Sequence, residues 1–182
     1  MIVDLSPDRP ELLEQAAELL VDRMPEGWPT LVEAREHVRE MLDPARLCRG
    51  FIRGTRLLGW VGGLEHYPNH IWELHPLVVH RDHERCGVGR ALVTDLEDRV
   101  RELGIHIMYV GTDDELDQTS LGGVDLFPDV LAKLAALENL HDHPVGFYQR
   151  LGYSIIGVMP DANGFGKPDI LLARRLVPLQ IS

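Results

Sequence analysis

Two residues that can move protons, Glu73 and His75, precede a short glycine-containing loop at residues 85–90. Side chains two positions apart lie on the same face of a strand, so both can point to one side of the apolar segment 71–79. The loop leads into an amphipathic helix, and the amide groups at a helix N-terminus attract a diphosphate. A diphosphate-binding loop beside acid and base side chains is typical of an enzyme that uses a phosphorylated cofactor.

The glycines of this loop indicate how the diphosphate is held. Gly87 and Gly89 carry no side chain that would keep a ligand away from the main chain. We therefore predict that main-chain N–H groups bind the diphosphate, and the predicted cofactor-binding residues here are Arg85, Cys86, Gly87, Val88, Gly89 and Arg90. The alternative is a helix start whose glycines only make the turn.

Glu73 is the predicted catalytic residue of this strand. A primary amine has a pKa of roughly 10, so only about one molecule in a thousand is uncharged and nucleophilic at pH 7. Glu73 either removes the ammonium proton as a base, or binds the ammonium and passes the proton on through water. His75 either assists in this or makes a structural hydrogen bond ahead of Pro76.

The charge balance favours a cationic partner. The chain has 29 acidic and 18 basic residues, a net charge of −11, which argues against nucleic acid and against an anionic membrane as partners. Asp113 and Asp114 follow a buried strand, and Asp169 begins the last one. A cleft walled by these carboxylates would attract a polycation, and the alternatives are solubility alone and a solvated acidic loop.

Composition and length predict one domain, residues 1–182, of a cytoplasmic protein. The two cysteines, Cys48 and Cys86, cannot build a disulfide framework, and no apolar run approaches the roughly 18 residues of a membrane span. Acidic residues near the N-terminus argue against a secretory signal. Histidines at 66, 70, 75, 80 and 83 are dense but lack a repeated ligand spacing, so we expect no metal site.

Hydrophobic periodicity and turn residues predict a mixed α/β sheet in the order β-α-α-β-β-β-α-β-α-α-β-β. Thr30 and Glu33 form a capping box, and Gly54 turns a hairpin. Strands are predicted at 1–5, 51–53, 57–64, 71–79, 105–110, 153–158 and 169–176, and helices up to Arg23 and at 30–42, from near Gly87 to Gly104, at 127–140 and at 144–151.

Sequence motifs across residues 28–175 resemble those of a known family. They are the segments 59–63, 72–79, 87–89, 111–114, 143–144 and 147–153, then Asn163 with 167–170. In this order they resemble the GNAT superfamily of acetyl-CoA-dependent N-acetyltransferases and, within it, the aminoglycoside 6'-N-acetyltransferases. The resemblance implies a mixed, mostly antiparallel central sheet with flanking helices and a splayed strand pair for acetyl-CoA.

The resemblance also implies how the thioester is handled. The backbone of Leu77, Val78 and Val79 would pair with the pantetheine arm of acetyl-CoA, and one N–H near Val78 or Val79 would stabilise the oxyanion. Tyr148, in a Phe-Tyr pair, is the second predicted catalytic residue, since the superfamily often places a phenol near the departing sulfur. The alternative is a core tyrosine.

For the substrate, the resemblance implies a cationic aminoglycoside. Trp28 and Tyr67 would cover sugar rings, with Tyr67 reaching a site shared with a second subunit of a homodimer. The sequence departs from the pattern of similar proteins at three positions. Glu84 stands where the loop usually begins with Gln or Arg, with Arg85 in a slot often held by glycine, and His141 replaces an asparagine that contacts the cofactor.

Together these observations predict an acetyltransferase that moves an acetyl group from acetyl-CoA to the 6'-amino group of an aminoglycoside. One alternative is the same chemistry on another primary amine, such as a polyamine or a protein N-terminus. The other is a non-catalytic acyl-CoA-binding module, which Glu84 favours and which Glu73 and Tyr148 disfavour.

Overall fold

Four antiparallel strands form the sheet of the first of two units in the structure, a computed structural model that describes residues 1–178. This unit is Met1–His106, and the second begins at Ile107. The strand order is β1-β2-β3-β4. Its elements are β1 Ile2–Asp4, α1 Pro10–Arg23, α2 Leu31–Glu40, β2 Leu47–Arg53, β3 Arg56–Tyr67, β4 Ile71–Val79, a 3₁₀ turn Arg81–His83 and α3 Val88–Glu102.

Helix ends in this unit follow local rules. The Thr30 hydroxyl accepts from Glu33 N at 3.3 Å, and Glu33 Oε2 accepts from Thr30 N at 3.1 Å, so the predicted capping box is confirmed. Gly104 follows α3 with φ +80°, a backbone conformation that glycine adopts without strain. α2 ends at Glu40, two residues before the predicted Leu42.

The core of the first unit is built on β3. Trp60 is fully buried, and its indole N–H donates to Ala16 O of α1 at 3.1 Å. Gly63 allows α3 to approach, because a Cβ there would meet Leu96 Cδ1 at 2.8 Å. These packing contacts fix β3, and through it the neighbouring β4, against helices α1 and α3.

The second unit holds three antiparallel strands in the order β5-β7-β6. Its elements are β5 Ile107–Asp113, α4 Val130–Ala135, α5 Val145–Arg150, β6 Ser154–Met159 and β7 Asp169–Arg175. The helix predicted at 127–140 is too long, because the chain after it is held by other partners. Leu140 N and His141 N both donate to Gln118 O, at 2.9 and 3.0 Å, which excludes a helical path there.

The predicted order of helices and strands is confirmed, as is a mixed α/β fold with mostly antiparallel pairing. The splayed strand pair for acetyl-CoA stays a prediction. So does the single domain over residues 1–182. Within residues 1–178, no helix is long and apolar enough to cross a membrane, and no cluster of His, Cys, Asp and Glu is placed to hold a metal ion.

Candidate active site

The loop ahead of α3 has the backbone of an anion-binding turn. Gly87 caps α3 at φ +85°, and no atom beyond Gly87 and its two chain neighbours lies within 4 Å of the position that a Cβ would take. Ala91 N donates to Gly87 O at 3.0 Å, so the amides before Ala91 precede the first hydrogen bond of the helix. Arg85 is also left-handed, at φ +56°, which explains why similar loops often carry glycine in that slot. These residues fit a diphosphate.

Glu84, just before this loop, has a charged partner in α1. Its carboxylate forms an ion pair with Arg23, at the end of α1. Arg81, in the 3₁₀ turn, also reaches α1 and bonds Asp22 Oδ2 at 3.0 Å. The loop is therefore tied to the last turn of α1 by two ion pairs that join residues distant in sequence.

β4 presents Glu73 and His75 on one face, as predicted. Partly exposed and buried residues alternate along the strand, so these two side chains lie opposite to the buried Trp72 and Leu74. Glu73 Oε2 lies 3.5 Å from His66 Nδ1. The His66 ring contacts Tyr67, with ring centroids 4.9 Å apart. Two of the predicted residues, Glu73 and Tyr67, thus flank one histidine that sequence reasoning did not assign.

A second aromatic group surrounds His75. The Trp28 ring lies 5.7 Å from His75, and the His37 ring contacts both, 4.7 Å from Trp28 and 5.5 Å from His75. Sequence reasoning did not single out His37. Its position three residues after the buried Ala34 was the available signal, since such residues share a helix face.

His37 is held in its neutral form. Burial, then the nearby charges of His75 and Arg46, lower the pKa of His37 from 6.5 to about 4. Among the residues that the structure describes, its buried Nε2 has no hydrogen-bond partner. A neutral imidazole at this position packs as a ring, which supports Trp28 against His75.

Replacing His37 with phenylalanine is expected to reduce the pH dependence of stability. The unfolded histidine binds a proton near pH 6.5 and the folded one only near pH 4, so its contribution is complete above pH 6.5 and is lost as the pH falls toward 4. Between pH 7 and pH 5 the unsubstituted protein should lose about 1 kcal/mol more than His37→Phe, a value halved for partial exposure. Urea unfolding at both pH values measures this.

His143, whose pKa is also lowered by burial, is present in both proteins, so its contribution cancels in this comparison. Equal loss of unfolding free energy in the two proteins would contradict the assignment to His37.

The end of β4 carries the residues predicted to bind the pantetheine arm. Leu77, Val78 and Val79 pair with β3, and the register shifts between Val61 and Gly63. Such an irregularity re-aims the residues that follow it. Val78 is buried, whereas Leu77 and Val79 are partly exposed. Their contact with the cofactor stays a prediction.

The acidic residues of the second unit have different tasks. Asp113 faces Asp169 across the β5–β7 pair and bonds the Asn163 side chain. Asp169 also lies over Gly111, where a Cβ would meet its Oδ2 at 2.6 Å. Asp114 is fully buried and accepts from Gln118 N, Thr119 N and Thr119 Oγ1 at 2.6, 2.9 and 2.7 Å. This placement makes Asp114 an organiser of its loop and does not favour its predicted substrate contact.

Tyr148 lies in α5 and is buried between two aromatic rings. Its ring centroid is 5.0 Å from Phe147 and 5.4 Å from Tyr153. Burial raises the pKa of Tyr148, so its phenol keeps its proton at neutral pH, as a proton donor must. Both the catalytic role and the core role remain compatible with this placement.

Two histidines precede α5 in the chain. His143 is buried, and its Nδ1 accepts from Val145 N at 3.2 Å at the start of the helix. His141 stands where similar proteins often carry asparagine. Its N–H donates to Gln118 O and its carbonyl accepts from the Gln118 side chain, both at 3.0 Å. The main chain therefore fixes this position, whatever its side chain contacts.

Comparison with known proteins identifies the family. The sequence profile of the acetyltransferase (GNAT) family matches residues 13–122. The chain belongs to this family. A search of curated proteins found no match.

Solved structures agree with this acetyltransferase assignment over the whole chain. The structure of an aminoglycoside 6'-N-acetyltransferase complexed with coenzyme A is 36% identical, with a TM-score of 0.94, and covers 100% of this chain and 99% of its own. The aminoglycoside 6'-N-acetyltransferase from Enterococcus faecium is 36% identical, with a TM-score of 0.91 and the same coverage. An aminoglycoside 6'-acetyltransferase type Ii is 33% identical, with a TM-score of 0.78, and covers 99% of both chains.

Proposed function

We propose that this acetyltransferase transfers the acetyl group of acetyl-CoA to the 6'-amino group of an aminoglycoside. The observation that carries this proposal is 36% identity, over the full chain, to an aminoglycoside 6'-N-acetyltransferase complexed with coenzyme A. The left-handed Gly87 and the amides that follow it support a diphosphate site for the same cofactor.

Bound acetyl-CoA supplies a thioester whose carbonyl carbon an amine can attack. The amides of residues 87–90 hold its diphosphate, and the backbone at Val78 or Val79 stabilises negative charge on the carbonyl oxygen. Glu73 holds the ammonium group or takes its proton, and the Tyr148 phenol supplies a proton to sulfur or bonds it. No metal takes part in this scheme.

The substrate contacts follow from charge and flat surfaces. Aminoglycosides are polycations, and the net charge of −11 draws them toward the protein. Asp113 and Asp169 supply carboxylates in the second unit, while Trp28 and Tyr67 supply rings that cover sugars. Tyr67 is 58% exposed and therefore accessible to such a contact.

A matched pair of antibiotics tests the reaction. Neomycin and paromomycin differ in carrying an amine or a hydroxyl group at the 6' position, so only neomycin offers the proposed nucleophile. With acetyl-CoA, we expect release of CoA thiol with neomycin and none above background with paromomycin. Equal release with both would contradict the 6' assignment.

The alternatives give different outcomes in the same assay. Faster turnover of spermidine or of a peptide N-terminus than of neomycin would indicate another primary amine as substrate. Binding of acetyl-CoA without thiol release from any amine would indicate a non-catalytic acyl-CoA-binding module.

We also propose that the chain acts in the cytoplasm as a homodimer, with residues 1–182 as one domain. Cys48 and Cys86 are both free thiols, which suits a reducing compartment.

The homodimer is supported by two exposed apolar residues on the edge strand β6. Ile156 and Met159 are 60% and 56% exposed, and exposed apolar side chains at a sheet edge favour pairing with another chain. Light scattering on the purified protein measures the mass, and a monomer at all concentrations would contradict the dimer.

A further inference from the structure

An acidic residue, Glu84, stands just before the diphosphate loop of residues 85–90, in the position where similar loops begin with Gln or Arg. Glu84 precedes the helix cap Gly87 by three residues, which span at most about 11 Å. This reach is close to the screening length of about 8 Å at physiological salt. An uncompensated carboxylate at position 84 would therefore repel a diphosphate bound at the start of α3.

The carboxylates of this segment have arginine partners from elsewhere in the first unit. Glu84 pairs with Arg23, 61 residues away in sequence, and Asp82 lies 3.9 Å from Arg56. The side chain of Arg23 is 25% exposed and that of Glu84 is 44% exposed, so the pair is in contact with water. Pairs of this kind add little to folding stability, so their main effect is to neutralise the carboxylates beside the loop.

We propose that Arg23 is a positioning residue for coenzyme A binding: it neutralises and turns aside Glu84, which makes the loop compatible with a diphosphate. This inference rests on the proposed function, because it takes coenzyme A as the ligand. Arg23 acts through Glu84, so its importance depends on the presence of that carboxylate.

Calorimetric titration of the protein with coenzyme A tests this dependence. Arg23→Gln exposes the Glu84 charge and should raise the Kd by about three- to tenfold. Glu84→Gln should bind at least as tightly as the unsubstituted protein. The double variant Arg23→Gln/Glu84→Gln should return to within about twofold of Glu84→Gln, since no carboxylate remains to be neutralised.

Two controls separate this effect from others. Arg35→Gln removes a comparable ion pair, between Arg35 Nε and Glu14 Oε2 at 2.9 Å, and should leave the Kd unchanged. Dephospho-coenzyme A keeps the diphosphate but lacks the 3'-phosphate, so the ratio of Kd values between Arg23→Gln and the unsubstituted protein should be the same for both ligands. Thermal unfolding of each variant confirms that the fold persists.

The Kd of the double variant decides between the explanations. A double variant that binds as weakly as Arg23→Gln would overturn the inference, because Arg23 would then contact the ligand itself or hold the loop. An unchanged Kd in Arg23→Gln would overturn it as well. If the unsubstituted protein binds no coenzyme A, the proposed function fails and this inference fails with it.

Discussion

Replacing Gly87 with aspartate is expected to weaken the binding of coenzyme A by about 100-fold, or ~2.7 kcal/mol. The new carboxylate would repel the diphosphate and compete for the amides at the start of α3. The fold should tolerate the change, because no atom beyond Gly87 and its two chain neighbours lies within 4 Å of the Cβ position and aspartate accepts the left-handed backbone better than most residues. Calorimetric titration with coenzyme A measures the loss.

Gly104→Asp is the matched control for Gly87→Asp. Gly104 has φ +80°, close to the +85° of Gly87, and it also has open space at its Cβ position. It lies beyond the other end of the 15-residue α3, which is about 22 Å long. This variant should bind coenzyme A within about twofold of the unsubstituted protein. A similar loss in both variants would show that strain or net charge, and not the position at the diphosphate, is responsible.

Replacing Glu73 with glutamine is expected to lower kcat/KM for the aminoglycoside by about 100-fold, within the range for losing a general base. The exchange keeps the shape of the side chain and removes the charge that is proposed to hold or deprotonate the amine. The Kd for coenzyme A should not change, because Glu73 lies outside both the diphosphate loop and the Leu77–Val79 segment of β4. Steady-state thiol release measures the effect.

The kinetic constants also separate the two roles of Glu73. A rise in KM with little change in kcat indicates an ammonium contact, whereas a fall in kcat indicates proton removal. Glu65→Gln is the control, since Glu65 is an exposed carboxylate on β3 that accepts from Asn69 N at 2.7 Å. Glu65→Gln should leave both constants within about twofold. If Glu73→Gln keeps more than half of the activity, Glu73 is not part of the catalytic machinery.

Features that depend on neighbouring residues in the chain were predictable from sequence. The Thr30–Glu33 capping box and the alternation along β4 are set by residues within a few positions of one another, and both are present. The helix start at Gly87 belongs to this class too, because it needs only a left-handed turn before an amphipathic segment.

Features that depend on distant partners were not predictable. The helix expected up to Leu140 ends at Ala135, since the following residues bond Gln118. Asp114 was predicted to contact the substrate; its bonds with Gln118 and Thr119 are local, but its full burial is not set by its neighbours in sequence. The Glu84–Arg23 pair joins residues 61 positions apart, and no local sequence pattern predicts it.

A crystal structure of the protein grown with coenzyme A is the most direct test of the central claim, which is that the amides opening α3 hold the diphosphate. We expect the diphosphate oxygens to accept hydrogen bonds from the main-chain N–H groups of residues 87–90, with the Glu84 carboxylate still paired to Arg23. A diphosphate bound anywhere other than beside Gly87 and Gly89 would contradict this account.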